Sequence, residues 1–255
     1  MQSKRHQERV IPGETEQSIY ETHVELYVFA SDYVKEKCVL DIACGSGYGS
    51  ALLHDVGKAR LVVGVDISSA AIEYASSHYQ SEGLVYMRGD ATNLEFNDES
   101  FDAVISFETI EHIREYESYL REVKRLLKEG GVFLVSTPNK RFDCKNPYHL
   151  ITFSPDDFQG VLLSFFDEVK MYGRGHLNTF GRFFALSNRL AGYVLPSSLM
   201  NALWRSMARP VPLGDWDSIS DAVELHDCRS LLAVCKKLPL CVGSNQQDAY
   251  REVGS

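Results

Sequence analysis

The sequence has no long uninterrupted apolar run. Its best candidate, residues 183–204, is broken by Asn188, Arg189, Gly192, Pro196 and Asn201. A membrane-spanning helix needs about 20 consecutive apolar residues, so no span is expected. Residues 1–9 are polar and mixed in charge with no apolar stretch behind them, so no secretory signal is read and the expected address is the cytoplasm. The six cysteines (Cys38, Cys44, Cys144, Cys228, Cys235 and Cys241) contain no CxxC pair and no zinc-ligand spacing. In a chain of this size they are expected to be buried or free thiols of a reducing compartment. Cationic excess is missing too. Lys and Arg number 26 against 35 Asp and Glu, a formal charge of −9. Such a surface repels phosphate backbones, so nucleic acid is not expected as the main partner.

What is present suits a folded domain. Hydrophobic residues make up 44% of 255, enough to bury a sizeable core and to exclude a wholly disordered chain. Apolar residues at helical spacing over 16–34 predict an N-terminal helix, and 1–36 are read as an N-terminal helical segment. Strands and helices then alternate. Apolar runs predict strands at 38–42, 61–65, 84–87, 101–106 and 132–136, and helices are expected at 50–56, 70–80 and 114–128. Beyond Pro138, the stretch 143–153 reads as irregular, 155–163 as a helix, 165–172 as a sixth strand and 231–236 as the last. The fold class is therefore α/β, a Rossmann-like doubly wound sheet spanning 37–242. Residues 173–227 read as an insertion with helical pieces at 187–193 and 198–207, placed as a lid over an acceptor. Residues 243–255 read as a polar tail.

The first strand runs into a glycine-rich turn, Asp41-Ile42-Ala43-Cys44-Gly45-Ser46-Gly47-Tyr48-Gly49. Glycines let the backbone turn tightly and let a ligand approach without meeting a Cβ. A dinucleotide fingerprint, GxGxxG, would require glycine where Ser50 stands, so a dehydrogenase is disfavoured. Asp41 beside the loop suits a cationic ligand better than a pyrophosphate. Asp66 closes the second strand, where a carboxylate can accept two ribose hydroxyls, and Asp90 closes the third, where it can meet an adenine amino group. A single such aspartate is more often a loop acid or a helix cap. Together with the glycine turn the three form a constellation at one edge of the sheet. After the fourth strand, Glu108-Thr109-Ile110-Glu111-His112 places two carboxylates and an imidazole three and four residues apart. In a helical turn these share a face and suit a divalent cation, while His112 alone could serve as a general base or as a packed polar residue.

The segments Asp41-x-x-x-Gly45-x-Gly47-x-Gly49, Val65-Asp66-Ile67, Gly89-Asp90-Ala91, Phe101-Asp102-Ala103-Val104-Ile105 and Leu126-Leu127-Lys128-Glu129-Gly130-Gly131 resemble the class I S-adenosylmethionine-dependent methyltransferases. That resemblance covers residues 39–138. It implies a seven-stranded sheet whose last strand lies antiparallel beside the fifth. It also implies a cofactor site drawn from Asp41, Ala43, Gly45, Gly47, Gly49, Asp66, Ile67, Asp90, Ala91 and Phe107, with Ile67 stacking on adenine and the backbone at 106–107 meeting the methionine amine. The acid–histidine segment is similar to the ubiquinone-pathway O-methyltransferases and the small-RNA 2′-O-methyltransferases. This adds His149, downstream of Thr137-Pro138-Asn139, as a fourth ligand beside Glu108, Glu111 and His112 for Mg2+ or Mn2+.

The expected activity is methyl transfer from S-adenosylmethionine to a hydroxyl of a small molecule: a sugar, a glycosylated or lipid-linked intermediate, or a phenol, with a vicinal diol favoured. Glu111 and His112 are the expected catalytic pair. Nitrogen or carboxylate acceptors on the same scaffold, and a cofactor-binding protein without catalysis, remain the alternatives. Oligomeric state is not legible.

Overall fold

The computed structural model of the chain describes residues 9–143, 146–174 and 229–239. Most of the expected insertion, both of its helical pieces and the polar tail lie outside the described residues. Helices are α1 (Gln17–Ser31), α2 (Tyr48–Asp55), α3 (Ser69–His78), α4 (Tyr116–Leu126) and α5 (Pro155–Leu163). Strands are β1 (Cys38–Ile42), β2 (Leu61–Asp66), β3 (Leu84–Arg88), β4 (Phe101–Ser106), β5 (Leu127–Pro138), β6 (Glu168–Arg174) and β7 (Ser230–Lys236). They form one sheet in the order β3-β2-β1-β4-β5-β7-β6. The first five neighbours pair in parallel, whereas β7 runs antiparallel to both β5 and β6. The doubly wound, seven-stranded sheet expected from the sequence is what the chain adopts, including the antiparallel strand beside the fifth.

Local chemistry sets these elements. β1, β2 and β4 are near-continuous apolar runs because both sheet faces are covered. Ser68 caps α3 by accepting from Ala71 N at 3.3 Å. Ser154 caps α5 by accepting from Asp157 N at 3.2 Å, with Pro155 at the first helical position. On one face, Tyr119, Leu120, Val123 and Leu126 of α4 and Phe158 and Leu162 of α5 pack on Val104, Phe133 and Val135. On the other, Leu26, Tyr27 and Ala30 of α1 pack with Leu53 of α2 on Val39, Ile105 and Leu134. The N-terminal helix is thus part of the core.

Several boundaries differ from expectation, the largest at β5, which starts at Leu127, five residues early. α4 starts at Tyr116, two residues late, because 110–112 form a separate 3-10 turn and Ile113 is extended. It ends at Leu126, since Leu127 already pairs with Phe101 in the sheet. β6 starts at Glu168 because Phe165 N and Phe166 N still donate to Leu162 O at the end of α5. No helix among the described residues is long and apolar enough to cross a membrane.

Candidate functional site

All parallel strands present their carboxyl ends on one edge, which is where open α/β sheets bind ligands. There β1 hands over to the glycine turn. Ala43, Gly45 and Gly47 take positive φ values of 59°, 56° and 84°. The glycines divide by what surrounds them. A Cβ on Gly49 would lie 2.0 Å from the Tyr27 ring, and one on Gly47 would lie 2.5 Å from Ala75 Cβ, so both permit helix packing. A Cβ on Gly45 would meet only Arg9 Cγ at 3.6 Å; the space beside it is otherwise open.

The Asp66 carboxylate is fixed by two backbone donors, Gly45 N to Oδ2 at 3.0 Å and Ser68 N to Oδ1 at 2.8 Å. The glycine turn and Asp66 are thereby locked to each other. Ile67 beside it is 55% exposed, an apolar side chain left open at the sheet edge. Asp90 accepts from Thr92 N at 2.9 Å and Thr92 Oγ1 at 2.7 Å, both on Oδ1. Ala91 is half-buried against the core, and Phe107 is buried, edge-on to Tyr27 with ring centroids 5.1 Å apart. Asp41 lies beneath the turn and is fully buried. Its Oδ1 accepts from Tyr27 Oη at 3.2 Å and its Oδ2 from Ser50 Oγ at 2.6 Å. Burial raises its pKa to about 7 despite these two bonds. Asp41 therefore ties α1 and α2 to β1, a role that its position before the loop does not disclose.

Beyond β4 the chain turns sharply. Glu108 has φ 48° and its N donates to Ser136 Oγ at 3.0 Å, while Ser136 Oγ donates to Glu108 Oε1 at 2.7 Å. It therefore precedes the 3-10 turn (Ile110–His112) and does not share a helical face with Glu111 and His112. The expected four-member set is reduced to three: Glu111, His112 and His149 bring ligand atoms within 4.8 Å of one another.

Glu111 is 1% exposed. Thr137 Oγ1 donates to its Oε2 at 3.1 Å, and its Oε1 is buried with no hydrogen-bond partner among the described residues, 4.0 Å from His112 Nε2. Burial holds this carboxyl well above the usual carboxylate range, and the nearby Glu108 charge pushes the same way. The Glu111 carbonyl accepts from Leu150 N and Ile151 N, which brings the His149 loop to the site. His112 Nδ1 lies 3.1 Å from Tyr148 O. A carbonyl only accepts, so Nδ1 carries the proton and Nε2 of the neutral ring keeps its lone pair facing Glu111. His149 is held more tightly: Nδ1 meets Asp143 Oδ2 at 2.9 Å, and Asn146 Nδ2 meets Nε2 at 3.0 Å.

Sequence reasoning missed Ser136, Thr137, Asp143 and Asn146. Ser136 and Thr137 were findable, since hydroxyls closing the strand next to β4 point at the same edge. Asp143 and Asn146 carry no periodic signal in an irregular loop.

A family model described as a methyltransferase domain matches residues 40–135, the stretch that builds the glycine turn, the strand-end acids and the acid–histidine segment. A probable S-adenosylmethionine-dependent methyltransferase of Mycolicibacterium smegmatis is 36% identical over 149 residues, 58% of this chain and 52% of that protein. The match thus spans about half of that relative's length. A fatty-acid O-methyltransferase of the same organism is 34% identical over 110 residues, 43% of this chain and 40% of the relative. A phthiotriol/phenolphthiotriol dimycocerosates methyltransferase of Mycobacterium tuberculosis is 34% identical over 125 residues, 48% and 46% of the two chains. Among solved structures, the complex of the Haloferax volcanii Trm112 activator with a putative methyltransferase superposes at TM-score 0.61 and 17% identity, covering 88% of this chain and 94% of that one, a likeness of fold. A methyltransferase domain thus occupies residues 40–135, and over about half of its length the chain is similar to S-adenosylmethionine-dependent methyltransferases.

Proposed function

We propose that the chain transfers the sulfonium methyl of S-adenosylmethionine to an oxygen of a small, lipid-like or glycosylated acceptor, with the cluster beyond β4 taking the acceptor's proton. The observation that carries this reading is the orphaned, buried Glu111 Oε1 facing the lone pair of His112 Nε2 at the carboxyl edge of the sheet. A buried carboxylate oxygen without a partner is costly in a resting fold and is common where chemistry is done. The relatives support an oxygen and a lipid: one is named for O-methylation of a fatty acid, another for a phthiotriol lipid.

In this reading Asp66 accepts the ribose hydroxyls with the lone pairs that Gly45 N and Ser68 N leave, Asp90 and Ala91 meet the adenine edge, and Ile67 covers its face. Phe107 and the backbone after β4 border the methionine end. The acceptor oxygen attacks the methyl carbon in line with the breaking carbon–sulfur bond, whose electron pair returns to sulfur as a thioether. The hydroxyl proton passes to His112 Nε2, and Glu111 steadies the imidazolium that results.

Glu111, His112 and His149 also form a fitting donor set for Mg2+ or Mn2+: one carboxylate oxygen lacks a partner and both rings donate Nδ1–H to an oxygen behind them, the usual way to aim Nε2. Asn146 would have to leave His149 Nε2 for that ring to ligate. Such an ion would supply Lewis acidity to a coordinated hydroxyl, and a vicinal diol would chelate it best. Cys38, Cys44 and Cys235 are free thiols, which suits the cytoplasm.

The test is incubation with isotope-labelled cofactor and a panel of fatty acids, phenols, glycolipids and catechols. Mass analysis of the product should find the label on oxygen. Label on nitrogen alone would sink the reading.

A further inference from the structure

Ahead of α1 lies a short arm, residues 9–16, that the catalytic reading leaves unused. It is an ordered turn: Ile11 N donates to Thr15 Oγ1 at 2.8 Å, and Glu14 N and Thr15 N donate to Ile11 O at 3.1 and 3.0 Å. It is fastened to the glycine turn by Ser46 Oγ, which donates to Val10 O at 2.5 Å. Next to this tether the Arg9 side chain lies over Gly45, its Cγ 3.6 Å from the place a Cβ would take. Nε and Nη1 of Arg9 are buried, and neither has a hydrogen-bond partner among the described residues.

A guanidinium keeps its charge at any accessible pH and can only donate. Burying part of one without an acceptor costs several kcal/mol, so the arrangement is incomplete until an anion arrives. Glu14, in the same arm, is not that anion: no carboxylate among the described residues lies within ion-pair distance of Arg9. The cofactor brings one, since its amino-acid end is a zwitterion. The edge that must receive its carboxylate carries Asp41, Asp66 and Asp90. Asp66 is bonded through Gly45 N to the very residue that Arg9 covers. A cation beside Gly45 offsets the negative charge that Asp66 brings to that turn.

We propose that Arg9 binds the α-carboxylate of S-adenosylmethionine and that the arm 9–16 is a clasp completed by the cofactor. The inference rests on the cofactor reading above. An arginine fork matches a carboxylate in plane with two parallel N–H donors, so the contact is specific as well as strong.

The experiment compares two ligands by calorimetry on the full chain. S-adenosylhomocysteine carries the amino-acid end, whereas 5′-methylthioadenosine shares adenine, ribose and sulfur but lacks it. Arg9→Ala should weaken S-adenosylhomocysteine on the order of ten- to a hundredfold and leave methylthioadenosine unchanged. Arg9→Lys should retain part of the loss, because the charge stays and the fork goes. Asp66→Ala should weaken both ligands alike, since both carry the ribose. The ligand-free Arg9→Ala chain should melt no lower than the wild type, because an unpaired buried charge has been removed. Equal losses for the two ligands would make Arg9 a packing residue and overturn the proposal, and so would undiminished S-adenosylhomocysteine binding. A wild-type chain that binds neither ligand would overturn the cofactor reading itself, and the clasp with it.

Discussion

The two halves of the sheet's carboxyl edge are built differently. Over β1–β3, backbone amides reach both strand-end carboxylates: Gly45 N and Ser68 N hold Asp66, and Thr92 N, joined by the Thr92 hydroxyl, holds Asp90. Over β4 and β5, Glu108 and Glu111 are positioned by the side-chain hydroxyls of Ser136 and Thr137, and one Glu111 oxygen is left over. Backbone donors are held by the fold and cannot be mutated away, which suits a rigid binding surface. Hydroxyl partners and an orphaned oxygen leave groups able to change protonation, which suits a surface where bonds are made. In the proposed reading, binding and chemistry occupy neighbouring stretches with different anchoring.

The largest test of that division falls on the chemical half. Glu111→Gln keeps the shape and the Thr137 contact but removes the ability to change protonation. Turnover should drop on the order of a hundred- to ten-thousandfold while S-adenosylhomocysteine affinity, measured by calorimetry, stays put. His112→Ala should act alike. Chelation separates the two roles of the cluster: exhaustive EDTA treatment that mimics Glu111→Gln assigns Glu111, His112 and His149 to an ion, whereas full activity in EDTA assigns His112 to proton transfer. A Glu111→Gln enzyme within a factor of ten of wild type would remove the cluster from the reaction.

The next effect is on stability and comes from both halves. Asp41 is raised from 3.8 to about 7, and Glu111 is raised too. Each folded chain therefore binds protons that the unfolded chain has already lost between those values. The stabilisation is complete below about pH 4 and disappears as pH rises through about 7. For Asp41 the window is worth up to about 4 kcal/mol at 1.36 kcal/mol per unit. Urea denaturation of the ligand-free protein should give decreasing stability from pH 5 to pH 8. Asp41→Asn should flatten that slope, and an unchanged slope would show that Asp41 titrates normally.

How far the sequence foretold these features follows from what each depends on. β1 and β4 came out at the residues expected, since short apolar runs bounded by charged or glycine-rich turns signal buried parallel strands without help from the rest of the chain. α5 likewise came out at the residues expected, 155–163. The glycine turn, Asp66 and Asp90 came together at one edge of the sheet because each follows directly on a legible parallel strand. Glu108 was misplaced because helical spacing was assumed where Ser136, 28 residues on, pulls the chain into a left-handed turn. The partners of His149 were illegible for the same reason: only tertiary contacts give them a role.

On the binding half, Asp66→Ala removes the anchor of Gly45 N together with the ribose acceptor. S-adenosylhomocysteine affinity should fall on the order of ten- to a hundredfold by calorimetry, with turnover at saturating cofactor little changed. A loss of turnover without loss of affinity would reverse the assignment of the two halves.

The smallest effect discriminates within the glycine turn. Gly49→Ala drives a methyl into the Tyr27 ring, so α1 must shift; overpacking of this kind costs about 1–3 kcal/mol. Gly45→Ala meets no crowding, and its cost to the ligand-free fold is that of one alanine held at φ 56°, about 1–2 kcal/mol. The two variants should therefore melt only a few degrees below wild type and close to each other. They should part on ligand. The space beside Gly45 is where the cofactor is expected, so Gly45→Ala should lose affinity well beyond its small loss of stability. Gly49→Ala, whose methyl faces α1, should keep its affinity once folded. If Gly49→Ala instead loses the cofactor while Gly45→Ala binds normally, the open space at Gly45 is not the ligand's, and the arm that covers it has another purpose.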